Sequence, residues 1–153
     1  MLMSVDRYGE VAASRDFAFG FVADYRNVPK WMFGISRFEP KGDQATGPGA
    51  LFEVTFSALR SFTFELEATA WDEGETIALE SAEAPRATAR FEFDTRGNDV
   101  TQIRVQIGFQ VPRALLVRPL RRMNDVVVGQ AVRHVETNLR RELETAFASA
   151  RQG

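Results

Sequence analysis

Hydrophobic and polar residues alternate along the middle of the chain. Between Phe33 and Val111 the hydrophobic positions recur every second residue, and turn-forming residues separate the runs. A period of two is typical of β-strands that bury one face. Five or six such runs joined by short connections favour an antiparallel meander. The hydrophobic members of these runs, which we expect on the inner face of the sheet, are Phe52, Val54, Phe56, Phe62, Phe64, Leu66, Ile77, Leu79, Phe91, Phe93, Val105, Ile107 and Phe109.

Hydrophobic residues recur at helical spacing on either side of this region. Met3 to Ala13 is weakly strand-like, Ser14 to Asp24 predicts a short amphipathic helix capped by Ser14, and a second helical turn is expected after Pro29. A long helix begins near Pro119 and carries one hydrophobic stripe that can cover the sheet. The stripe consists of Leu116, Leu120, Met123, Val127, Ala131, Val135, Leu139, Leu143 and Phe147. The pattern therefore predicts the α+β class.

Three segments in this order carry a resemblance to a known family. They are Ser14 to Asp24, the stretch Asn27-Val-Pro-Lys-Trp31, and the loop Gly47-Pro-Gly49. Together they resemble the polyketide cyclase/dehydrase and lipid-transport (START-like, SRPBCC) superfamily over effectively the whole chain. The usual Gly-Gly-Thr turn before the last strand is replaced by Arg96-Gly-Asn-Asp-Val-Thr101, which leaves the register of that hairpin open.

The resemblance implies a helix-grip fold and a single domain spanning residues 1–153. In that fold a curved antiparallel sheet wraps around the long C-terminal helix, with two short helices after the first strand, and an apolar cavity lies between them. The resemblance does not imply one activity, because the superfamily includes lipid carriers, aromatic cyclases, hormone receptors and chaperone-associated domains.

Composition and charge exclude several classes of function. The net charge is −2, from 19 basic and 21 acidic residues. The chain therefore lacks the strongly basic character of a nucleic-acid-binding protein. The chain has no cysteine and one histidine, so thiolate chemistry is absent and we expect no metal or other cofactor. The first residues do not read as a targeting segment, and no run approaches the ~20 apolar residues that span a bilayer. A cytoplasmic protein without stable membrane insertion is the simplest interpretation.

The aromatic residues are dominated by phenylalanine, 13 of 17, which offers apolar surface without a hydrogen-bonding group. A sheet face built from such residues suits a lipid, a sterol-like or a polyketide-like molecule. The alternative is that the same residues fill a solid core. The helix-grip resemblance favours a cavity, and the candidate ligand-binding residues are Tyr25, Trp31, Phe52, Val54, Phe56, Phe62, Phe64, Leu66, Phe91, Val105, Ile107, Phe109, Met123, Val127 and Ala131.

Candidate catalytic residues are few. Glu65 and Glu67 share one face of a strand, but alternation places them on the polar face, where a solvated surface is expected. His134 has no second histidine to act with, and a position between core and solvent is expected for it. The polar groups that could enter the cavity are Tyr25, Arg26, Asn124, Gln130, His134 and a few arginines near the rims.

Four arginines lie before and within the first turns of the long helix, beside Leu115, Leu116 and Val117. Such a patch could touch an anionic membrane transiently during ligand delivery, and the alternative is an ordinary solvated helix start. The four are Arg113, Arg118, Arg121 and Arg122.

Three functions remain open from the sequence. The first is binding or transport of a hydrophobic small molecule. The second is a polyketide cyclase or dehydratase that acts mainly by positioning its substrate. The third is a protein-interaction domain with a filled core.

Overall fold

The fold consists of one antiparallel sheet, two short helices and one long helix. The computed structural model describes the backbone of residues 2–57, 61–84, 86–110 and 118–152, and the side chains of all of these except 2, 3 and 118–133. The elements in chain order are β1 (Leu2–Val11), α1 (Arg15–Ala23), a 3-10 helix (Tyr25–Asn27), α2 (Val28–Trp31), β2 (Ile35–Pro40), β3 (Leu51–Phe56), β4 (Phe62–Asp72), β5 (Thr76–Glu80), β6 (Ala87–Gly97), β7 (Val100–Gln110) and α3 (Arg118–Gln152).

The seven strands form one sheet in the order β1-β7-β6-β5-β4-β3-β2, and all neighbours are antiparallel. Strands β2 to β7 follow one another as the predicted meander. The segment with α1, the 3-10 helix and α2 leads from β1 at one edge to β2 at the other. The sheet curls around α3, so the predicted α+β helix-grip fold is confirmed.

Helix α1 begins and ends where the sequence predicts. The Ser14 hydroxyl accepts a hydrogen bond from the Phe17 N–H at 3.3 Å, and Asp16 lies in the first turn, where a negative charge is favourable. The helix ends at Asp24, which caps the following 3-10 helix. The buried face of α1 consists of Ala18, Phe19, Phe21 and Val22.

The last hairpin has a defined register. Gly97 pairs with Val100, so the turn between β6 and β7 consists of Asn98 and Asp99, and Asp99 has a φ of 55°. Aspartate adopts this left-handed conformation more readily than most residues. Farther along the two strands, Phe91 pairs with Val105, which places both on the inner face.

Helix α3 covers the edge of the sheet near β1. Its residues Val135, Leu139 and Leu143 are almost fully buried, which confirms the predicted stripe over this half of the helix. A hydrogen bond from the Ala12 N–H to the Glu144 carboxylate at 2.7 Å also ties the helix to the end of β1.

Candidate functional site

A cavity of about 120 Å³ lies between the inner face of the sheet and the short helices. Strands β2 to β7 supply most of its wall, and the end of α1, the 3-10 helix and α2 supply the rest. The lining residues are Val22, Ala23, Tyr25, Val28, Trp31, Met32, Phe33, Ile35, Phe38, Phe52, Val54, Phe56, Phe64, Leu66, Trp71, Ile77, Leu79, Ala87, Thr88, Ala89, Phe91, Ile107, Gly108 and Phe109.

Four phenylalanines form one aromatic cluster, and three of them, Phe56, Phe64 and Phe109, line the cavity. The Phe109 ring on β7 stacks on Phe56 at 6.2 Å and on Phe62 at 6.0 Å, and it contacts Phe64 at 6.1 Å. Strands β7 and β4 are separated in the sheet by β6 and β5, so these rings can meet only because the sheet curls. The curl converts a flat apolar face into an enclosed wall.

Helix α2 places Trp31 in the wall of the cavity. The Trp31 ring meets Phe91 edge to face, with centroids 5.6 Å apart and an interplanar angle of 85°. The chain then turns into β2 at Gly34, whose φ is +91°. A Cβ atom at this position would lie 2.9 Å from the Phe56 Cζ atom, so glycine is required by both the backbone conformation and the close approach of the ring.

The described residues that line the cavity have almost entirely apolar side chains. This lining contains no carboxylate, amine, guanidinium or imidazole, and its polar side chains are those of Tyr25, Trp31, Trp71 and Thr88. Thr88 is exposed, whereas Trp31 is only 3% exposed. This wall can hold an apolar molecule, and its described residues offer no paired acid and base for proton transfer.

The cavity meets solvent at Phe33, an exposed lining residue, and this opening is its mouth. Phe33 is 51% exposed, one of the most exposed large hydrophobic residues that the structure describes. Arg26 points its guanidinium at Asp24, donating hydrogen bonds of 2.9 and 2.8 Å to the two carboxylate oxygens. These bonds lower the pKa of Asp24 below its ordinary value of 3.8. Arg26 therefore belongs to an exposed ion pair and is not among the described residues that line the cavity.

Most of the predicted ligand-binding residues line this one cavity. Ten do so: Tyr25, Trp31, Phe52, Val54, Phe56, Phe64, Leu66, Phe91, Ile107 and Phe109. Phe62 packs behind the lining in the phenylalanine cluster, and Val105 is fully buried in the core. The side chains of Met123, Val127 and Ala131 lie outside the described residues, as do those of Asn124 and Gln130.

Several lining residues were not identified from the sequence. Val22, Val28, Met32 and Phe33 come from the short helices and the turn after them. Trp71 comes from β4, where the pairing with β5 shifts register between Ala68 and Ala70. A β-bulge of this kind changes which alternate residues face inward, so Trp71 joins the cavity although simple alternation from Phe62 would place it outside.

The other sequence candidates lie away from the cavity. Glu65 and Glu67 are exposed, as predicted, and Glu65 forms an ion pair with Lys41. His134 is exposed and directly precedes the buried Val135. The side chains of Arg118, Arg121 and Arg122, and the whole of Arg113, lie outside the described residues.

Within the described ranges, no three His, Cys, Asp or Glu side chains are grouped closely enough to hold a metal ion. None of the helices in the described part of the chain combines the length and apolar character needed to cross a bilayer.

Comparison with known proteins identifies this fold in several solved structures. No family model and no curated protein matches the sequence. A START superfamily protein from Mycobacterium smegmatis has a TM-score of 0.71 at 18% identity, covering 94% of this chain and 98% of that chain. The Zhui aromatase/cyclase from a Streptomyces species has a TM-score of 0.70 at 17% identity, covering 94% of each chain. A truncated norcoclaurine synthase from Thalictrum flavum has a TM-score of 0.62 at 13% identity, again covering 94% of each.

At these identities the comparisons establish the fold. One of these neighbours is a START superfamily protein, so the resemblance expected from the sequence is confirmed as a likeness in fold.

Proposed function

We propose that this chain works as a single domain that holds one hydrophobic small molecule in its cavity and carries it through the cytoplasm. The molecule is a lipid, a sterol-like or a polyketide-like compound. The observation that supports this proposal is the wall itself, in which the described residues surround an open space with apolar side chains and no charged group. The likeness in fold to START-like proteins is consistent with it.

The energetics of such a wall favour binding. Apolar surface removed from water contributes roughly 25 cal/mol per Å², and an apolar cavity of about 150 Å³ stays dry and accepts a molecule of the size of benzene. The cavity described here is of similar volume, about 120 Å³. A ligand larger than one or two rings therefore requires the walls to move apart or part of the ligand to extend through the mouth.

The test is a titration of the purified protein with naphthalene, followed by the emission of its two tryptophans, Trp31 and Trp71, both of which line the cavity. We expect saturable binding of one naphthalene per chain. The matched control ligand is 2-naphthalenesulfonate, which has the same rings and a permanent charge. It should bind at least about tenfold more weakly, because the described wall offers no counter-charge.

Saturation by both ligands with equal affinity would indicate a surface site and contradict the proposal. Absence of naphthalene binding by the folded protein would contradict it as well and would favour the interaction-domain alternative. Native mass spectrometry of the freshly purified protein is an independent measurement, because a natural ligand that co-purifies with the protein would be detected by its mass.

A second candidate is a cyclase that folds a reactive polyketide-like chain into position. It is supported by Tyr25, a lining residue that carries a hydroxyl, and by the fold shared with an aromatase/cyclase. The test is to compare the ring products of a reactive poly-β-keto thioester with and without the protein. A cyclase would change the distribution of ring products, and Tyr25→Phe would slow that reaction. An unchanged distribution would exclude this candidate.

A further inference from the structure

The indole N–H of Trp31 is a buried donor that lacks an acceptor. Trp31 is 3% exposed, and within the described part of the chain its Nε1 atom has no hydrogen-bond partner. An indole nitrogen can only donate a hydrogen bond. Because a buried donor without a partner costs about 1–3 kcal/mol, such groups are rare in folded proteins and call for an explanation.

Among the described residues, the ring that Trp31 contacts is apolar. Trp31 is the last residue of α2 and contacts the Phe91 ring edge to face. The same residue lines the cavity, so the space beside it is the space that a ligand would occupy. The nitrogen itself has almost no accessible surface in this structure, so a small turn of the indole toward the cavity is the movement that lets a ligand supply the acceptor.

We infer that the molecule bound in this cavity carries one uncharged oxygen acceptor, which takes a hydrogen bond from the Trp31 indole N–H. This inference rests on the proposed function, since it requires a ligand in the cavity. The oxygen belongs to a ketone, ester, amide or hydroxyl group. A carboxylate or phosphate does not fit, because the described lining has no charged side chain to replace the water that such a group would lose.

Two probes of the same shape isolate the hydrogen bond. In 2-acetylnaphthalene the side group ends in a carbonyl oxygen, and in 2-isopropenylnaphthalene a CH₂ group replaces that oxygen. The chain has two tryptophans, so the ¹H–¹⁵N spectrum has two indole signals. The Trp71→Phe variant removes one of them, and the remaining signal is that of Trp31.

We expect the Trp31 indole proton to move farther downfield on saturation with the ketone than with the alkene, because it gains a carbonyl acceptor. The second readout is the ratio of the two dissociation constants, alkene over ketone. This ratio should fall about threefold to tenfold in Trp31→Phe, which corresponds to the loss of one hydrogen bond. Trp71→Phe is the matched control, since it removes another indole from the same lining, and its ratio should stay within about twofold of the parent's.

The outcomes separate this inference from the proposed function. If both probes bind and shift the Trp31 signal equally, with the same affinity ratio in parent and Trp31→Phe, the hydrogen bond is refuted and the apolar binding site stands. If neither probe binds the folded protein, the proposed function fails and the inference fails with it. The spectrum of the parent protein decides the question even if Trp31→Phe does not fold.

Discussion

Ala89 and Ala68 lie on either side of Leu79 on the inner face of the sheet, and they respond differently to the same substitution. Leu79 pairs with Ala68 on β4 and with Ala89 on β6. Ala89 lines the cavity and is half-buried, whereas Ala68 is 2% exposed and belongs to the packed core. Replacing each with leucine therefore adds the same three carbons to an open space in one case and to a filled space in the other.

The magnitude follows from the volume available. At Ala89 the added carbons enter the cavity of about 120 Å³, and at about 0.8 kcal/mol per buried carbon they contribute about 2.4 kcal/mol. The lost rotamer freedom of leucine offsets about 0.5–1 kcal/mol of this gain. The net increase of about 1.5 kcal/mol raises the melting temperature by roughly 3–6 °C for a domain of this size.

At Ala68 the same side chain overpacks the core and costs about 1–3 kcal/mol, so the melting temperature should fall by at least about 2 °C. The assay is thermal unfolding followed by circular dichroism, together with naphthalene titration of each variant. Ala89→Leu should also weaken naphthalene binding at least about tenfold, because leucine takes the space. A similar loss of stability in both variants would refute the reasoning, since it would show that the space beside Ala89 is filled.

Three further predictions concern other contacts. Gly9→Ala should lower the melting temperature, because the added Cβ would lie 2.6 Å from the Glu136 Cδ atom. Thermal melts should show a smaller loss when the same substitution is made in a Glu136→Ala background. An equal loss in both backgrounds would contradict this packing. The Asp24→Asn variant should lose less stability than the parent protein as the pH falls. The Arg26 hydrogen bond lowers the pKa of the folded Asp24 carboxyl below 3.8, so its stabilisation is present above that pH and is lost as the pH falls through the folded pKa. Melts between about pH 2 and 6 test this, and parallel curves for parent and variant would exclude it. Phe64→Ala should lower the free energy of unfolding by less than the ~3–5 kcal/mol typical of a buried phenylalanine, because Phe64 lines a void and is only half-buried. Urea unfolding measures this loss. A loss within the typical range would indicate a solid core.

The sequence predicts the sheet well because one physical rule governs it. Strands that bury one face must alternate, so residues such as Val54 and Ile107 could be assigned to the inner wall and do line the cavity. The Ser14 cap and the stripe of α3 were predictable for the same reason, since each depends on local spacing. The α+β class followed from the order of these elements, and the helix-grip arrangement was implied by the family resemblance.

The rest of the site depends on features that alternation does not encode. The bulge between Ala68 and Ala70 brings Trp71 into the cavity, and a break in the alternation of β4 is the only local signal for it. Phe93 lies on the buried inner face as expected, but it packs against Phe19 of α1 at 5.3 Å and does not line the cavity, because the placement of that helix decides which inner residues it covers. The unpartnered N–H of Trp31 could not be predicted, since it depends on every neighbour of one atom.

The central claim is that an apolar molecule occupies this particular cavity, and intermolecular nuclear Overhauser effects test it most directly. The protein is saturated with naphthalene, and transfer of magnetisation from the ring protons to protein methyl groups is recorded. The account predicts contacts to the methyl groups of Val54, Ile77, Leu79 and Ile107, which line the cavity from three different strands. Contacts confined to Leu51, which is 42% exposed, or no contacts at all would contradict it.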